Sequence, residues 1–321
     1  MDLITKLVCG QTVQSPTVTD METKRIADEN GEVVMTIYRV FPGIDLVFND
    51  IHSQRCVIDH GRTGNVIEID HCREGRIERE YGDEFFYLAP GDMAIGKRAA
   101  GESESYFPLS RYHGITVIVD IESAPRCLSC FLADVFVSPA DIAEKFCSNG
   151  RCFVARSKPY VEHIFSELYD VPDSIKKGYF KVKVLELLLV LLGMESGEDE
   201  ADSRSLAKRK VELAKDVSHY LTGHMEEHIT VAELANMFHV SQTVLKSAFK
   251  GVYGVPVYSY MRTQKMQAAA MLLKQTDMPV MEIAGKCGYD NGSKFAAAFR
   301  DVMGMSPNEY RNIATGDVAA V

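Results

Sequence analysis

Over roughly the last hundred residues the apolar positions fall on helical faces. Val231, Leu234, Ala235 and Phe238 are spaced i, i+3, i+4, i+7, and Val280, Ile283, Ala284 and Cys287 repeat that spacing. Each set predicts one buried face of a short helix. A second helix follows each time, with Leu245, Ala248, Phe249 and Val252 matching Phe295, Ala298, Phe299 and Val302. Thr230 with Glu233 predicts a capping box at the first helix, and Ser241 caps the second. Pro279 belongs in the first turn of the later unit, where its missing N–H costs nothing. Gly254 and Gly304 stand where helices end in a left-handed residue. A long helix from Val257 to about Lys274 joins the two units.

The N-terminal pattern is different. Val33 to Val40, Val66 to Cys72, Arg76 to Glu80, Phe85 to Leu88 and Ile115 to Ile121 are short β-rich runs. They are punctuated by Pro42-Gly43, Gly64-Asn65, Glu74-Gly75, Gly82-Asp83 and Pro90-Gly91-Asp92. This rhythm predicts a small antiparallel barrel or jelly roll over about 30–125. Helical text follows over about 138–192: one segment opened by Ser138, one from Tyr160 to Tyr169, and an apolar helix from Lys181 to Leu192. Gly193 to Ser203 is acidic and aperiodic, and reads as a linker over 193–207. The fold class expected is two-domain α+β, an antiparallel β-barrel with helical segments followed by an all-α domain from 208 to 321.

Self-similarity with a period near 50 residues gives the C-terminal part its meaning. Glu233-Leu234-Ala235 returns as Glu282-Ile283-Ala284, and Phe249-Lys250-Gly251-Val252-Tyr253-Gly254 returns as Phe299-Arg300-Asp301-Val302-Met303-Gly304. Two short helices joined by a tight turn, found twice (about 230–254 and 279–304), form a double helix-turn-helix. Opposite the buried stripes lie the candidate DNA-contacting residues. In the first recognition helix they are Gln242, Thr243, Lys246, Ser247 and Lys250. In the second they are Asn291, Ser293, Lys294, Ala296, Ala297 and Arg300. N-terminal residues of such helices meet base edges and later basic ones meet phosphate.

Charge supports the division. The chain of 321 residues carries a net −10, but residues 208–321 hold 13 Lys/Arg against 11 Asp/Glu, or +2, leaving −12 on the first 207. A mildly basic domain attached to an acidic one suits a DNA-binding unit joined to something else. The start does not read as a secretory signal, and the longest apolar run, Val184 to Met194, is too short to span a bilayer. With eight cysteines and no signal, reduced thiols in a cytoplasm are expected.

At Leu234-Ala235, Ser241 through Lys250, Gly254, Ile283-Ala284, Gly288-Tyr289, Phe295 through Arg300, Gly304-Met305-Ser306-Pro307 and Tyr310-Arg311 the chain resembles the AraC/XylS family of transcription regulators. Lys265 departs from it, standing where the family has an arginine in the joining helix. Asp70 to Gly75 and Tyr87 to Asp92 resemble the cupin-like arm domain of many such regulators. The resemblance implies an activator of transcription that binds double-stranded DNA, a small-molecule effector held in the barrel, a homodimer formed partly through the helix around Val184 to Leu192, and contact with RNA polymerase. The stretch Gly292 to Arg300 also resembles regulators of iron-siderophore uptake.

Two other chemistries compete. Cys127, Cys130, Cys147 and Cys152 have a spacing compatible with zinc or a redox sensor, although free cysteine is also a common core residue. His71 invites comparison with the metal-binding His-x-His of catalytic cupins, but Arg73 occupies the second position. No convergent histidine set is read, and neither a cofactor, a metal nor an enzyme activity is expected. A cupin-type enzyme or a DNA-repair methyl acceptor fused to the same DNA-binding unit remains the alternative.

Overall fold

The N-terminal strands follow from alternation of buried and exposed positions. A computed structural model describes residues 21–28, 31–59, 65–81, 84–98, 101–128, 135–148, 153–156, 158–194 and 206–315, and the chain forms two compact units, 1–207 and 208–321. In unit 1 the strands are β1 (Met21–Asp28), β2 (Gly31–Phe41), β3 (Ile44–Ser53), β4 (Arg55–Asp59), β5 (Val66–Gly75), β6 (Ile77–Tyr81), β7 (Glu84–Leu88), β8 (Met93–Lys97), β9 (Glu102–Tyr106) and β10 (Tyr112–Asp120). After them come α1 (Pro139–Cys147), β11 (Phe153–Ala155), α2 (Pro159–Ser166), α3 (Lys176–Gly193) and β12 (Leu206–Ala207).

Seven strands pair antiparallel in the order β1-β2-β3-β10-β5-β8-β11, with smaller sheets β12-β7-β6 and β4-β9. The middle of the large sheet is covered on both faces, which sorts its residues by parity. Val33, Met35 and Ile37 of β2 and Cys72 of β5 face an interior shared with Ile77, Phe86 and Phe107 of the smaller sheets. Ile67 and Ile69 of β5 and Ile115, Val117 and Val119 of β10 face the other way, onto Ile142, Phe146, Ile164, Phe165, Val184 and Leu188 of the helices. Val40 faces the second interior by ordinary alternation, and an irregularity between Arg39 and Phe41 turns Phe41, of the same parity as Ile37, to that side as well, as a one-residue slip must. The expected barrel is present, and it is larger than the runs of β-rich sequence indicated. β1, β3, β4, β8, β9, β11 and β12 were not among them.

The first helix starts where expected, with Ser138 capping α1 by accepting from Asp141 N at 3.2 Å, and the second starts one residue early, at Pro159. The apolar helix begins five residues earlier than its sequence suggested, at Lys176. At the expected linker, Gly193 closes α3, Met194 is buried, and Leu206 and Ala207 pair with Phe85 and Glu84 of β7. The stretch 195–205 lies outside the described residues.

Unit 2 is helical: α4 (Lys208–Gly223), α5 (Val231–Met237), α6 (Gln242–Tyr253), α7 (Val257–Gln275), α8 (Val280–Lys286), α9 (Gly292–Met303) and α10 (Pro307–Thr315). Its first half is centred on an aromatic group. Tyr253 and Tyr260 lie 4.5 Å apart, Phe249 stacks on Tyr253 at 4.4 Å, and the Tyr260 hydroxyl is 2.8 Å from Ser218 Oγ of α4. The second half packs Met266, Ala270 and Leu273 of α7 against Ile283, Phe295 and Phe299.

One buried group makes a measurable prediction. His71 is 3% exposed, stacks on Phe165 at 4.2 Å, and neither ring nitrogen has a hydrogen-bond partner. Burial lowers its pKa from 6.5 to about 4. Below pH 6.5 the unfolded chain takes up this proton while the folded chain does not, so stability falls between pH 6.5 and 4. In His71→Phe that loss, up to about 3 kcal/mol, is expected to disappear from urea melts recorded across this range. Equal slopes for both proteins would contradict the assignment.

Candidate nucleic-acid interface

The two helix-turn-helix units are built by the same backbone devices. Thr230 Oγ1 accepts from Glu233 N at 3.2 Å while the Glu233 carboxylate accepts from Thr230 N at 2.7 Å, closing the capping box of α5. That hydrogen bonding holds the Glu233 carboxyl below the usual range. In the turn Val240 N donates to Ala235 O at 2.9 Å, and Tyr289 N donates to Ala284 O at the same distance. Both turns need a left-handed residue, His239 (φ 54) in one and Gly288 (φ 71) in the other. Gly288 is also forced by space, since a Cβ there would lie 2.7 Å from Glu226 O and 2.9 Å from Lys265 Nζ. Ser241 Oγ accepts from Val244 N at 3.3 Å, and Asn291 Oδ1 from Ser293 N and Lys294 N at 2.9 and 3.1 Å. Gly254 and Gly304 close α6 and α9 at φ 77 and 80.

Two differences from expectation appear. Pro279 sits one position earlier than the first turn, as the N-cap of α8, where its carbonyl accepts from Ile283 N at 3.1 Å. The repeat offset is 49 residues up to Tyr289 and 50 from Asn291 onward, so Asp290 is one extra residue in the second turn.

Once the stripe Leu245, Ala248, Phe249 and Val252 is buried, a 3.6-residue period leaves the opposite face of α6 bare. Gln242, Thr243, Lys246, Ser247 and Lys250 are all exposed on α6 or at its start. On α9 the same holds for Ser293, Lys294, Ala297 and Arg300, with Asn291 at the cap, whereas Ala296 is half-buried. Asn291 is engaged in capping through its side-chain oxygen, which restricts it as a reader of bases. Val244 was missed: it is 42% exposed and is the repeat mate of Lys294. Being apolar it carried no signal as a polar contact, yet it offers a surface for a thymine methyl. Among the described residues no ion pair holds Lys246, Lys250 or Lys294, and all three are exposed. The supports behind these faces are tied down. Arg262 of α7 meets Asp301 of α9 at 2.5 Å, and Arg311 of α10 donates to Met278 O at 2.5 Å. Lys265 is 8% exposed and burial lowers its pKa.

A family model described as a helix-turn-helix domain matches residues 234–313. The chain is 29% identical over 157 residues to the arabinose operon regulatory protein of Salmonella typhimurium, covering 46% of this chain and 53% of that protein. Unit 2 contains a helix-turn-helix domain similar to that of AraC-type regulators. The chain is also 24% identical over 214 residues to the "Probable transcriptional regulator LumQ" of Photobacterium leiognathi, covering 60% of this chain and 84% of that one. It is 25% identical over 114 residues to the HTH-type transcriptional activator AarP of Providencia stuartii, 36% of this chain and 84% of that one. Apart from LumQ, the first curated relatives are spanned over about half their length or less. These relatives are named as regulators of transcription.

Unit 1 holds a second candidate site. A cavity of about 70 Å³ is lined by residues of all three sheets, which shows that they wrap one interior. Its apolar wall includes Met35, Ile51, Ile77 and Phe107, and its polar layer is ionic. Asp70, 1% exposed, accepts from Arg79 Nε at 2.9 Å and from Thr116 Oγ1 at 2.7 Å, and Asn49 Nδ2 donates to Thr116 Oγ1 at 3.0 Å. Arg98 Nη2 reaches Glu68 at 2.6 Å. Burial pushes the Asp70 carboxyl up against the pull of Arg79. The Tyr112 hydroxyl, also facing this interior, is buried without a hydrogen-bond partner. His71, compared above with cupin metal ligands, points away from this layer onto Phe165. Of the four thiols read as a possible sensor, Cys147 is buried in the helix-covered core and its pKa is pushed up to about 11 by burial, which suppresses the reactive thiolate. Cys130 and Cys152 lie outside the described residues.

Position along α6 separates two roles. Lys246 lies near the start of α6 and Lys250 one turn on, both exposed, and the expectation is that the first meets base edges and the second the phosphate backbone. Lys246→Ala is expected to cost about 1–3 kcal/mol on the preferred site and relax preference at one or two base pairs. Lys250→Ala should weaken all sequences alike and reduce the salt slope by about one unit. Selection from a random duplex library, with affinity measured against salt, checks both; an even loss with unchanged preference in Lys246→Ala would reverse the assignment.

Proposed function

We propose that this chain is an effector-responsive activator of transcription in the cytoplasm, acting as a homodimer and working by binding rather than by catalysis. The observation that carries the reading is the pair of solvent-facing recognition helices, each fixed by its own caps and presenting exposed cations. Gln242, Thr243, Lys246, Ser247 and Lys250 read and anchor the first DNA segment, with Val244 beside them. Asn291, Ser293, Lys294, Ala296, Ala297 and Arg300 contact the second. Because Ala296 and Ala297 offer only methyl groups, the first helix discriminates more strongly. The two helices of one chain enter successive major grooves about one turn apart.

The barrel cavity is the effector site in this proposal. An apolar wall with a few converging polar groups is the usual make-up of a small-molecule pocket, and the unpartnered Tyr112 hydroxyl supports it. An effector acts by binding one arrangement of the protein better than another. Dimerisation through α3 is supported by its second apolar stripe: Val182 is 62% exposed, and Leu185, Leu189 and Leu192 are only half-buried. Contact with RNA polymerase follows from the activator role. No helix among the described residues is long and apolar enough to cross a membrane.

The reading is tested on the full chain by thermal-shift screening against metabolites and siderophores, followed by DNA binding with and without each hit. A ligand that raises the melting temperature and changes DNA affinity is expected, with both effects lost in Arg79→Met, which removes the ionic partner of Asp70. In sedimentation experiments Val182→Glu is expected to shift a dimer toward monomer. A wild-type chain that binds no duplex at low salt overturns the main reading, and one that is monomeric on DNA overturns the dimer.

A further inference from the structure

On the outer face of the barrel sheet, away from the cavity, three metal-ligating side chains converge. Asp50 and His52 are two residues apart on β3 and therefore share a face. His113 of β10 is the direct cross-strand partner of Asp50, so it shares that face too. The Asp50 Oδ1 atom is 3.0 Å from His52 Nε2 and 3.4 Å from His113 Nε2. One ligand atom from each of the three residues lies within 4.8 Å of the other two. The rings of His52 and His113 stand edge to face at 5.5 Å.

We propose that Asp50, His52 and His113 form a binding site for a divalent transition-metal ion of the zinc class. Zinc holds nitrogen and carboxylate oxygen at about 2.0–2.2 Å, so the edges of a tetrahedral ligand set are about 3.3–3.5 Å long. The two carboxylate-to-imidazole separations fall near that value. Two imidazoles with one carboxylate suit zinc and its neighbours in the first transition row, whereas magnesium and calcium take oxygen ligands alone. A second observation comes from His113: its Nε2 is buried and has no hydrogen bond, although the Asp50 carboxylate is only 3.4 Å away. A carboxylate placed merely to accept from the imidazole would satisfy that atom; one that shares a metal with it need not. The flanking acids are engaged elsewhere. Glu32, across from His52 on β2, pairs with Arg25 at 3.3 Å, and Glu74, across from His113 on β5, pairs with Arg111 at 2.8 Å. Three protein ligands leave further positions open to water.

The location gives the ion a structural lever. Asn49 and Ile51 alternate with Asp50 and His52 on β3, and Tyr112 precedes His113 on β10; all three line the cavity on the opposite face. An ion tying β3 to β10 from outside would fix the strand pair that shapes the interior. The site stands on its own geometry and does not depend on the effector reading.

The experiment titrates zinc chloride into untagged, reduced full-length chain by calorimetry, with cobalt(II) absorption as the spectroscopic check, because the chain's thiols also attract zinc. One equivalent at micromolar or tighter affinity is expected, with a cobalt spectrum lacking thiolate charge-transfer bands. His52→Ala, His113→Ala and Asp50→Asn should each weaken binding at least tenfold while retaining the wild-type circular dichroism. Since Asp50 and His52 are exposed, their variants are not expected to unfold the sheet, and they keep the test decisive if His113→Ala does. Wild-type affinity weaker than millimolar, or zinc binding unchanged in the His52 and Asp50 variants, overturns the proposal.

Discussion

A seven-residue helix does not persist alone in water, because nucleation costs more than one turn of hydrogen bonds returns. α5 and α8 are that short. They exist because Leu234-Ala235 and Ile283-Ala284 are driven into contact with the helices that follow, all four being 0–3% exposed. Each buried branched side chain contributes about 1.5–3 kcal/mol, and the capping box of α5 adds roughly 1 kcal/mol. The same burial aims the recognition helices. Once Leu245, Ala248 and Phe249 of α6 are committed inward, Thr243, Lys246, Ser247 and Lys250 have nowhere to go but out. The reading face is therefore set by packing behind it, and its own residues are free to vary without unfolding the domain.

In the barrel the governing constraint is parity. Where the sheet is covered on both sides, as at β5, it has no residue to spare, so Glu68, Asp70 and Cys72 enter the interior while Ile67, Ile69 and His71 meet the helices. Polar groups sent inward must find partners, since an isolated buried charge is severely penalised. Arg79, Arg98, Thr116 and Asn49 meet that requirement for the carboxylates. Tyr112 in the interior and His71 under the helices are exceptions, and a buried polar group without a partner is where a ligand or a pH response is to be sought.

These two physical situations explain what could be read in advance. The helical half announced itself because a 3.6-residue period, caps and glycines coincide and then recur. The barrel did so only in part. β3, Ile44-Asp45-Leu46-Val47-Phe48-Asn49-Asp50-Ile51-His52-Ser53, mixes apolar and polar residues on both faces, because one end lies under helices and the other does not, and no simple alternation survives. The pairing of Arg79 with Asp70 and of Arg98 with Glu68 was equally hidden, since each depends on strand register rather than on spacing. Asp50, His52 and His113 escaped for that reason too: the Asp-x-His pair was visible, but its third member comes from a strand sixty residues later. Val244 was overlooked because an apolar residue in a helix is assumed to be core.

The single extra residue in the second turn, Asp290, separates two halves that are otherwise near copies. It reaches neither hydrophobic core and disturbs neither cap, yet it means that α8 and α9 cannot simply be exchanged for α5 and α6. Duplication followed by such a shift yields two readers with separate histories. One carries lysine, Lys246, at the position where the other carries alanine, Ala296. A regulator of this design can change the part of its target met by the second helix while the first holds its place on the chromosome, and new sites are then acquired by drift at one end rather than by reinvention of the whole.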